Sequence, residues 1–264
     1  MSLSFVNRSR AMGWMVIAAA SAFLMGISSG AAMAQSGEDL FAQGNQAYAE
    51  GRYDDAIRHY DRVIQAAGYS ASVLYNMANA YYQKKDVGQA ILNYERALYL
   101  NPGNADIRAN LAVARKDAGL IPEPVAGWQR YFDLLNLNGW ALALSGVFGA
   151  VSLLFLLRGI RPDIFRGTAF GSVTAFCLLC LITGGTGVAL QYGNLSRGVI
   201  TQNQARLQVS PFDSADSSAA LKDGKVVRMA KIYKDYVLVK EDNGRSGWVK
   251  RDAVQPVVPP GGFS

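Results

Sequence analysis

GWALALSGVFGAVSLLFLL (139–157), RGIRPDIFR (158–166) and GTAFGSVTAFCLLCLITGGTGVALQY (167–192) run consecutively through the middle of the chain. Two apolar runs flank a short basic loop. A helix needs roughly 20 apolar residues to cross a hydrocarbon core. In lipid each segment must satisfy its own backbone donors and acceptors, so both runs are predicted as helices. Arg158, Arg161 and Arg166 mark the 158–166 loop as cytoplasmic by the positive-inside rule. Trp140 and Tyr192 stand at the far ends, where amphipathic rings favour the headgroup level. The chain before and after the pair is therefore expected on the opposite, non-cytoplasmic side. A buried helical hairpin of a soluble protein is the plainer alternative.

The N-terminus has its own apolar signature. Arg8 and Arg10 precede the run Met12–Ile27, and Ala32-Met33-Ala34 offers small residues for cleavage. Residues 1–34 read as a secretory signal peptide, cleaved or retained as an anchor. Either outcome exports residue 35 onward, in agreement with the arginine loop. The expected location is a bacterial inner membrane, crossed more than once, with both soluble domains periplasmic.

The chain has 264 residues and a net charge of +6. It has no lysine run and no basic helix with interleaved aromatics, so nucleic acid is not implied. Its two cysteines, Cys177 and Cys180, both fall in the second apolar run. A thiolate is disfavoured in hydrocarbon, so they read as small apolar fillers rather than a redox pair. The single histidine, His59, has no serine or cysteine partner set. Zinc spacings and phosphate-binding glycine loops are missing too. The paired acids Asp54-Asp55 and Glu241-Asp242 suit a helix start and a turn. No enzyme activity, cofactor or metal is expected.

From Leu40 the sequence repeats with a period of 34 residues. Ala56 aligns with Ala90, Tyr60 with Tyr94, Asp61 with Glu95 and Arg62 with Arg96. Each copy reads as two helices joined by a tight turn, at Gly51 or Lys85, and Pro102 ends the second pair. Leu74, Ala78, Tyr81, Ala90, Tyr94, Ala97 and Pro102 make this stretch resemble the tetratricopeptide family. In the first copy Gly44, Ala56 and Tyr60 fit. Ala105–Gly119 resembles the capping helix that such stacks need. Residues 35–120 are thus expected to form a tetratricopeptide repeat domain.

Such stacks present a concave face made by the first helix of each pair. Phe41, Asn45, Tyr48, Tyr75, Asn76, Asn79, Tyr82 and Asn110 are placed there as a peptide- or partner-binding groove. Asparagines suit an extended backbone and tyrosines give rigid contact area. The alternative is that some of them are solvated or packed within the stack. The family's carboxylate clamp uses cations where this chain has Phe41, Asp106 and Asn110, so that clamp is not expected.

Residues 121–138 form a connector. Trp128, Tyr131, Phe132 and Leu135 are spaced i, i+3, i+4, i+7. This predicts an amphipathic helix in the membrane interface, with packing on the repeats as the alternative.

Beyond Asn194 the texture changes to short alternating runs with turns at Asp223-Gly224 and Asn243-Gly244, the pattern of an antiparallel sheet or barrel. Residues 195–256 resemble the bacterial SH3-like family. Leu207 and Val209 correspond to its first inward pair, Leu221 and Gly224 to the following turn, and Gly247-Trp248-Val249 to a late strand. Tyr236 stands where a tryptophan is common. Trp248 reads first as a core plug, with a ligand platform as the alternative. Trp248, Tyr236, Lys231 and Lys234 are the candidate contacts for an anionic envelope polymer. Residues 257–264 are Pro/Gly-rich and expected to be disordered.

The expected fold is thus a multidomain membrane protein: an all-α tetratricopeptide helical repeat, a two-helix transmembrane hairpin and a small all-β SH3-like barrel. Signal, repeats, two spans and SH3-like domain in that order resemble the BatE-like proteins of bacterial Bat aerotolerance operons. The resemblance implies a scaffold in a Bat/MoxR-type stress complex, with membrane proteins carrying von Willebrand factor A domains as partners. The residues leave a second function open, an envelope-anchoring module that binds peptidoglycan.

Overall fold

The computed structural model describes residues 37–120, 128–161 and 168–263. The signal-peptide segment, Pro122, Pro124 and Arg166 lie outside the described residues. The chain divides into two compact units, 1–69 and 70–264.

In the first unit, helix α1 covers residues 37–49 and α2 runs Tyr53–Ala67. Gly51 makes the turn with φ +75°, a conformation that a side chain disfavours. Ala56, Tyr60 and Val63 form the buried stripe of α2, at the helical spacing that puts them on one face. Gly44 of α1 is where the tyrosine ring lies: a Cβ there would sit 2.6 Å from Tyr60 Cε1.

The second unit starts with the same motif. Helices α3 (Ala71–Gln83) and α4 (Val87–Leu100) turn at Lys85, whose φ is +65° and which stands 34 residues after Gly51. Ser70 caps α3 by accepting from the Val73 amide at 3.2 Å, and Asp86 caps α4 through the Gln89 amide at 3.3 Å. Helix α5 (Ala105–Asp117) is capped by Asn104. Leu74, Met77, Ala78, Ala90, Tyr94, Leu111 and Ala114 are buried between these helices.

Helix α4 differs from its counterpart α2. Six consecutive residues, Ala90 to Glu95, are buried. A run buried all round a helix needs cover on more than one side. Helices α3 and α5 supply one side, and strand β1 (Arg197–Ile200) packs against another.

Helix α6 (Gln129–Phe132) leads into α7 (Leu137–Ile160), and α8 (Thr168–Gly193) returns. Among the described residues, two helices are thus long and apolar enough to cross a membrane. Helix α7 extends beyond its apolar run at both ends and carries Arg158 in its last turn, whereas α8 has the length of its run, shifted by one residue. Ser145, Ser152, Thr174, Thr183 and Thr186 each return their hydroxyl to the carbonyl four residues back, so no hydroxyl of these five is left unpaired in lipid. The helices meet where α8 is smallest. A Cβ at Gly187 would lie 2.4 Å from Trp140 Cδ2, and one at Gly184 3.1 Å from Leu144 Cδ1. The Trp140 Nε1 and Gln191 Nε2 donors converge on the Phe132 carbonyl at 2.9 and 3.0 Å, which fixes the connector to both helices. Among the described residues of that connector, the helix ahead of α7 is one turn long rather than the longer amphipathic helix expected. The connector's apolar residues Trp128, Tyr131 and Leu134 are exposed.

Strands β1, β2 (Ala205–Gln208), β3 (Ser217–Leu221), β4 (Val226–Tyr233), β5 (Tyr236–Lys240), β6 (Ser246–Lys250) and β7 (Val254–Pro256) form one antiparallel sheet in the order β3-β2-β6-β5-β4-β1-β7. Its core comprises Ile200, Leu207, Leu221, Val227, Val237, Val239, Val249 and Val254. The expected closed barrel is instead an open sheet with β3 and β7 at its edges. Strand β3 presents Ser217, Ser218, Ala219 and Ala220, mostly exposed, and such small residues give little apolar area to close against. Asn243-Gly244 joins the paired strands β5 and β6, as expected of a hairpin. Asp223-Gly224 joins β3 to β4, which are not neighbours, so it is a crossing connection. Val209, expected inward, is 66% exposed, because the register shifts between Leu207 and Gln208 and such a bulge rotates the residues beyond it. The tail is not loose: Val257 is 2% exposed and the Phe263 ring stacks on Tyr99 at 5.5 Å.

Candidate functional site

The sequence points to two surfaces, one on the repeats and one on the sheet. On α1, Phe41 lies half-buried with its ring 5.9 Å from Tyr60. Asn45 accepts from the Tyr60 hydroxyl at 2.9 Å, and Tyr48 meets Tyr53 edge-on at 5.5 Å. In the second unit Tyr75 and Asn79 repeat the first two contacts. The Tyr75 ring is 6.0 Å from Tyr94, and the Tyr94 hydroxyl donates to Asn79 Oδ1.

Helix α5 extends this pattern. Asn110 Nδ2 donates to the Tyr75 hydroxyl at 2.8 Å and to Asn79 Oδ1 at 3.2 Å. Tyr82 donates to Asp117, and that carboxylate pushes the phenol up from its ordinary value. Tyr75, Asn76, Asn79, Tyr82 and Asn110 are all half-buried. Asn79 and Asn110 are thus partly occupied within the stack, which narrows their expected role as free peptide ligands. What they retain is one amide donor group and one amide oxygen: Asn79 Nδ2 and Asn110 Oδ1 make no hydrogen bond among the described residues. Their rotamers are already set by the tyrosines, so a ligand bonding them would lose little side-chain entropy on binding.

On the sheet, Trp248 is half-buried while its neighbours Gly247 and Val249 are buried. The pleat alternates faces, so Val249 fills the core and Trp248 lies on the other face. The expectation of a core plug is corrected. Register aligns Lys231 with Leu238, Leu238 with Trp248 and Trp248 with Gln208, across β4, β5, β6 and β2. Tyr233 meets the Trp248 ring edge-on at 6.3 Å, and Lys234 Nζ lies 5.6 Å from the Tyr233 centroid. Tyr236 is 6% exposed, its hydroxyl donating to Asp213 at 2.8 Å. It therefore supports this face from below rather than offering a ring to a ligand.

A third cluster was not anticipated. Glu95 is 3% exposed, and its carboxylate is bonded by Arg115 of α5 and by Arg197 of β1, the latter at 3.1 and 3.2 Å. Burial would raise this carboxyl, but Arg197 and then Arg115 outweigh it and hold Glu95 below its ordinary value. Asp223 adds a second clasp. It accepts from the Gly88 amide in the first turn of α4 at 2.9 Å, where a carboxylate suits the helix dipole. Desolvation still raises its carboxyl above the ordinary value. Arg96 donates to the Pro256 carbonyl at 3.0 Å. Together these tie the second repeat to the sheet. The signal was present in VGQAILNYERALYL, which lacks a fully polar face, unlike α2.

Among the described residues no group of three or more histidine, cysteine, aspartate or glutamate side chains is placed to hold a metal. Comparison with known families identifies one segment. Residues 71–104 match the tetratricopeptide repeat. The matched repeat covers α3, α4 and the loop that leads to the Asn104 cap. It therefore includes Tyr75, Asn76, Asn79 and Tyr82, while Asn110 lies just beyond it. No curated protein matches the chain significantly. The tetratricopeptide repeat supports a role in protein–protein interaction.

Proposed function

We propose that this protein is a non-enzymatic, membrane-anchored scaffold that holds a segment of a partner protein on its tetratricopeptide repeat. The observation that carries the reading is the matched repeat together with Asn79 and Asn110, whose amides are pre-set by tyrosines and retain one donor group and one acceptor. A donor and an acceptor side by side suit the alternating groups of an extended backbone. The bacterial inner membrane, the periplasmic placement of both soluble parts and the BatE-like assignment belong to this reading. Its partners are then membrane proteins of the Bat type with von Willebrand factor A domains, in a stress-tolerance complex. The test is affinity capture from detergent extract with wild type and with Asn110→Ala/Tyr82→Ala. Loss of a specific partner from a variant that keeps its helical signal is the expected result. Unchanged recovery of every partner would sink the scaffold reading.

The outward placement of Trp248 favours a second reading. An SH3-like sheet with Trp248, Tyr233, Lys231 and Lys234 on one accessible region suits a glycan strand bearing anionic groups, as in peptidoglycan. Co-sedimentation with isolated sacculi, lost in Trp248→Ala, would favour it over the repeat as the binding element.

A further inference from the structure

A cavity of about 710 Å³ opens where the two long helices meet the rest of the second unit. Its wall on the helix side is Phe132, Asp133, Leu190, Gln191 and Asn194. These residues directly precede α7, end α8 or directly follow it. Exposed Trp128, Tyr131 and Leu134 stand in the same connector. In a membrane-spanning chain that level is the interface, where aromatic side chains meet headgroups.

The opposite wall is basic. Arg115, Arg197, Lys222, Lys225, Arg228 and Arg245 line the cavity, against the acids Asp133, Glu241 and Asp242. Several of the cations are already engaged: Arg115 and Arg197 with Glu95, and Arg245 with Glu241 at 3.0 Å. Arg228 reaches Asp242 only at 4.0 Å, and Lys222 reaches the Gly119 carbonyl only at 3.5 Å. Lys225 is half-buried and makes no side-chain hydrogen bond or ion pair among the described residues. Six cations thus line the cavity against three acids. The cavity therefore holds an excess of positive charge next to the membrane surface.

We infer that this cavity binds the phosphate headgroup of an anionic phospholipid, with Lys225 and Arg228 as its principal cations. Its volume is in the range of small-molecule sites, about 300–1,000 Å³. Basic pockets beside transmembrane helices are suited to such headgroups, since a phosphate oxygen accepts charge-assisted hydrogen bonds from lysine and arginine. A zwitterionic headgroup brings its own cation into a field that already repels it. The lipid would fill the junction between helices, repeat and sheet, making the posture of the scaffold dependent on the bilayer. The inference rests on the membrane-spanning reading of α7 and α8.

The test uses the full chain in a neutral detergent, with thermal unfolding as readout. Short-chain phosphatidylglycerol is titrated against phosphatidylcholine of the same chain length and against sodium phosphate. A ligand that binds only the folded state raises the unfolding temperature with concentration. Phosphatidylglycerol is expected to raise it at concentrations where the other two do not. Lys225→Gln/Arg228→Gln should weaken the apparent affinity by about fivefold per cation, roughly 25-fold for the pair. Arg62→Gln/Arg206→Gln, an equal charge change at exposed residues that do not line the cavity, should leave it unchanged. If the first pair fails to fold, Lys225→Gln alone carries the test at about fivefold. An equal response to phosphatidylcholine, or an unchanged affinity in the cavity variant, overturns the inference. A full response to sodium phosphate makes this a free-anion site and overturns the lipid assignment. Release of the chain from membranes by alkaline carbonate would sink the membrane reading itself, whereas retention with no lipid discrimination sinks only the cavity.

Discussion

The hydroxyl of Tyr94 donates to Asn79, and the hydroxyl of Tyr60 donates to Asn45, each pair separated by 15 residues. Both tyrosines are 1% exposed. A buried phenol needs a partner, and a first-helix asparagine provides it in both copies. The 34-residue period thus repeats a hydrogen bond as well as an apolar pattern.

Asn79→Ala should therefore destabilise the second unit by about 1–3 kcal/mol, because it takes the Asn79 acceptor away from the buried Tyr94 hydroxyl. Tyr94→Phe removes the hydroxyl and lets Asn79 keep Asn110, at a cost of about 0.5–1.5 kcal/mol. Urea unfolding followed by helical circular dichroism would order the two. A larger loss in Tyr94→Phe would mean that the tyrosine hydroxyl has another essential partner.

The helices, turns and long apolar segments were legible because each depends on local pattern. Gly51 and Lys85 marked the turns, Pro102 the end of the second helix pair, and uncharged runs the two long helices. What was not legible depends on contacts between distant segments. Asp223-Gly224 reads as a hairpin turn, yet Asp223 accepts from Gly88 at 135 residues' separation. Trp248 reads as core, but the strand register assigns Val249 to the inside. Asn79 reads as a groove residue; its partner Tyr94 was visible only as an apolar repeat position. Glu95 aligned with Asp61, an exposed residue of the first copy. The alignment hid the fact that a sheet covers one copy of that position.

Glu95→Gln should destabilise the second unit by about 3–5 kcal/mol, since Arg115 and Arg197 would remain largely buried without a counter-charge. The direction of each shift sets the pH dependence. The folded carboxyl lies below its ordinary value of 4.5. Its contribution is complete above that value and is lost as pH falls through the lower folded one. Asp223 acts oppositely. Its folded carboxyl is raised above 3.8, so it takes up a proton earlier in the folded state and favours folding as acid is added. Unfolding measured between neutral and acidic pH should show the glutamate limb in wild type and lack it in Glu95→Gln. An identical acid profile in the variant would remove Glu95 as the cause.

Gly224→Ala tests the seam between repeat and sheet. Gly224 has φ +78°, and a Cβ there would lie 2.4 Å from Ile91 Cδ1. Backbone strain and overpacking act in the same direction, so a cost of about 1–3 kcal/mol is expected, at the upper end if Ile91 cannot move. Ile91→Val/Gly224→Ala should recover part of it in the same unfolding assay. Additive losses would place the strain in the backbone alone.

Trp248→Ala should be milder than a core deletion. A fully buried large side chain contributes about 1.5–3 kcal/mol, and a half-buried one roughly half of that. The sheet should stay folded, with Tyr233 losing its edge contact. A loss of folding in this variant would return Trp248 to the core and weaken the envelope-binding reading.

Topology offers the last test. Trp140 and Gln191 both donate to the Phe132 carbonyl, so the start of α7 and the end of α8 emerge on one side. Arg158 stands at the opposite end, its guanidinium 4.0 Å from the Phe170 ring centroid, and Arg161 comes directly after α7. Arginines concentrate in cytoplasmic loops. Reporters active only outside the cytoplasm should therefore be active when fused after residue 120 and after residue 260. A cytoplasmic reporter should be active in the 158–166 loop. Opposite results at 120 and 260 would contradict the paired crossing. A cytoplasmic result at both would keep the hairpin but reverse its orientation, and would remove the periplasm as the place where the repeat meets its partner.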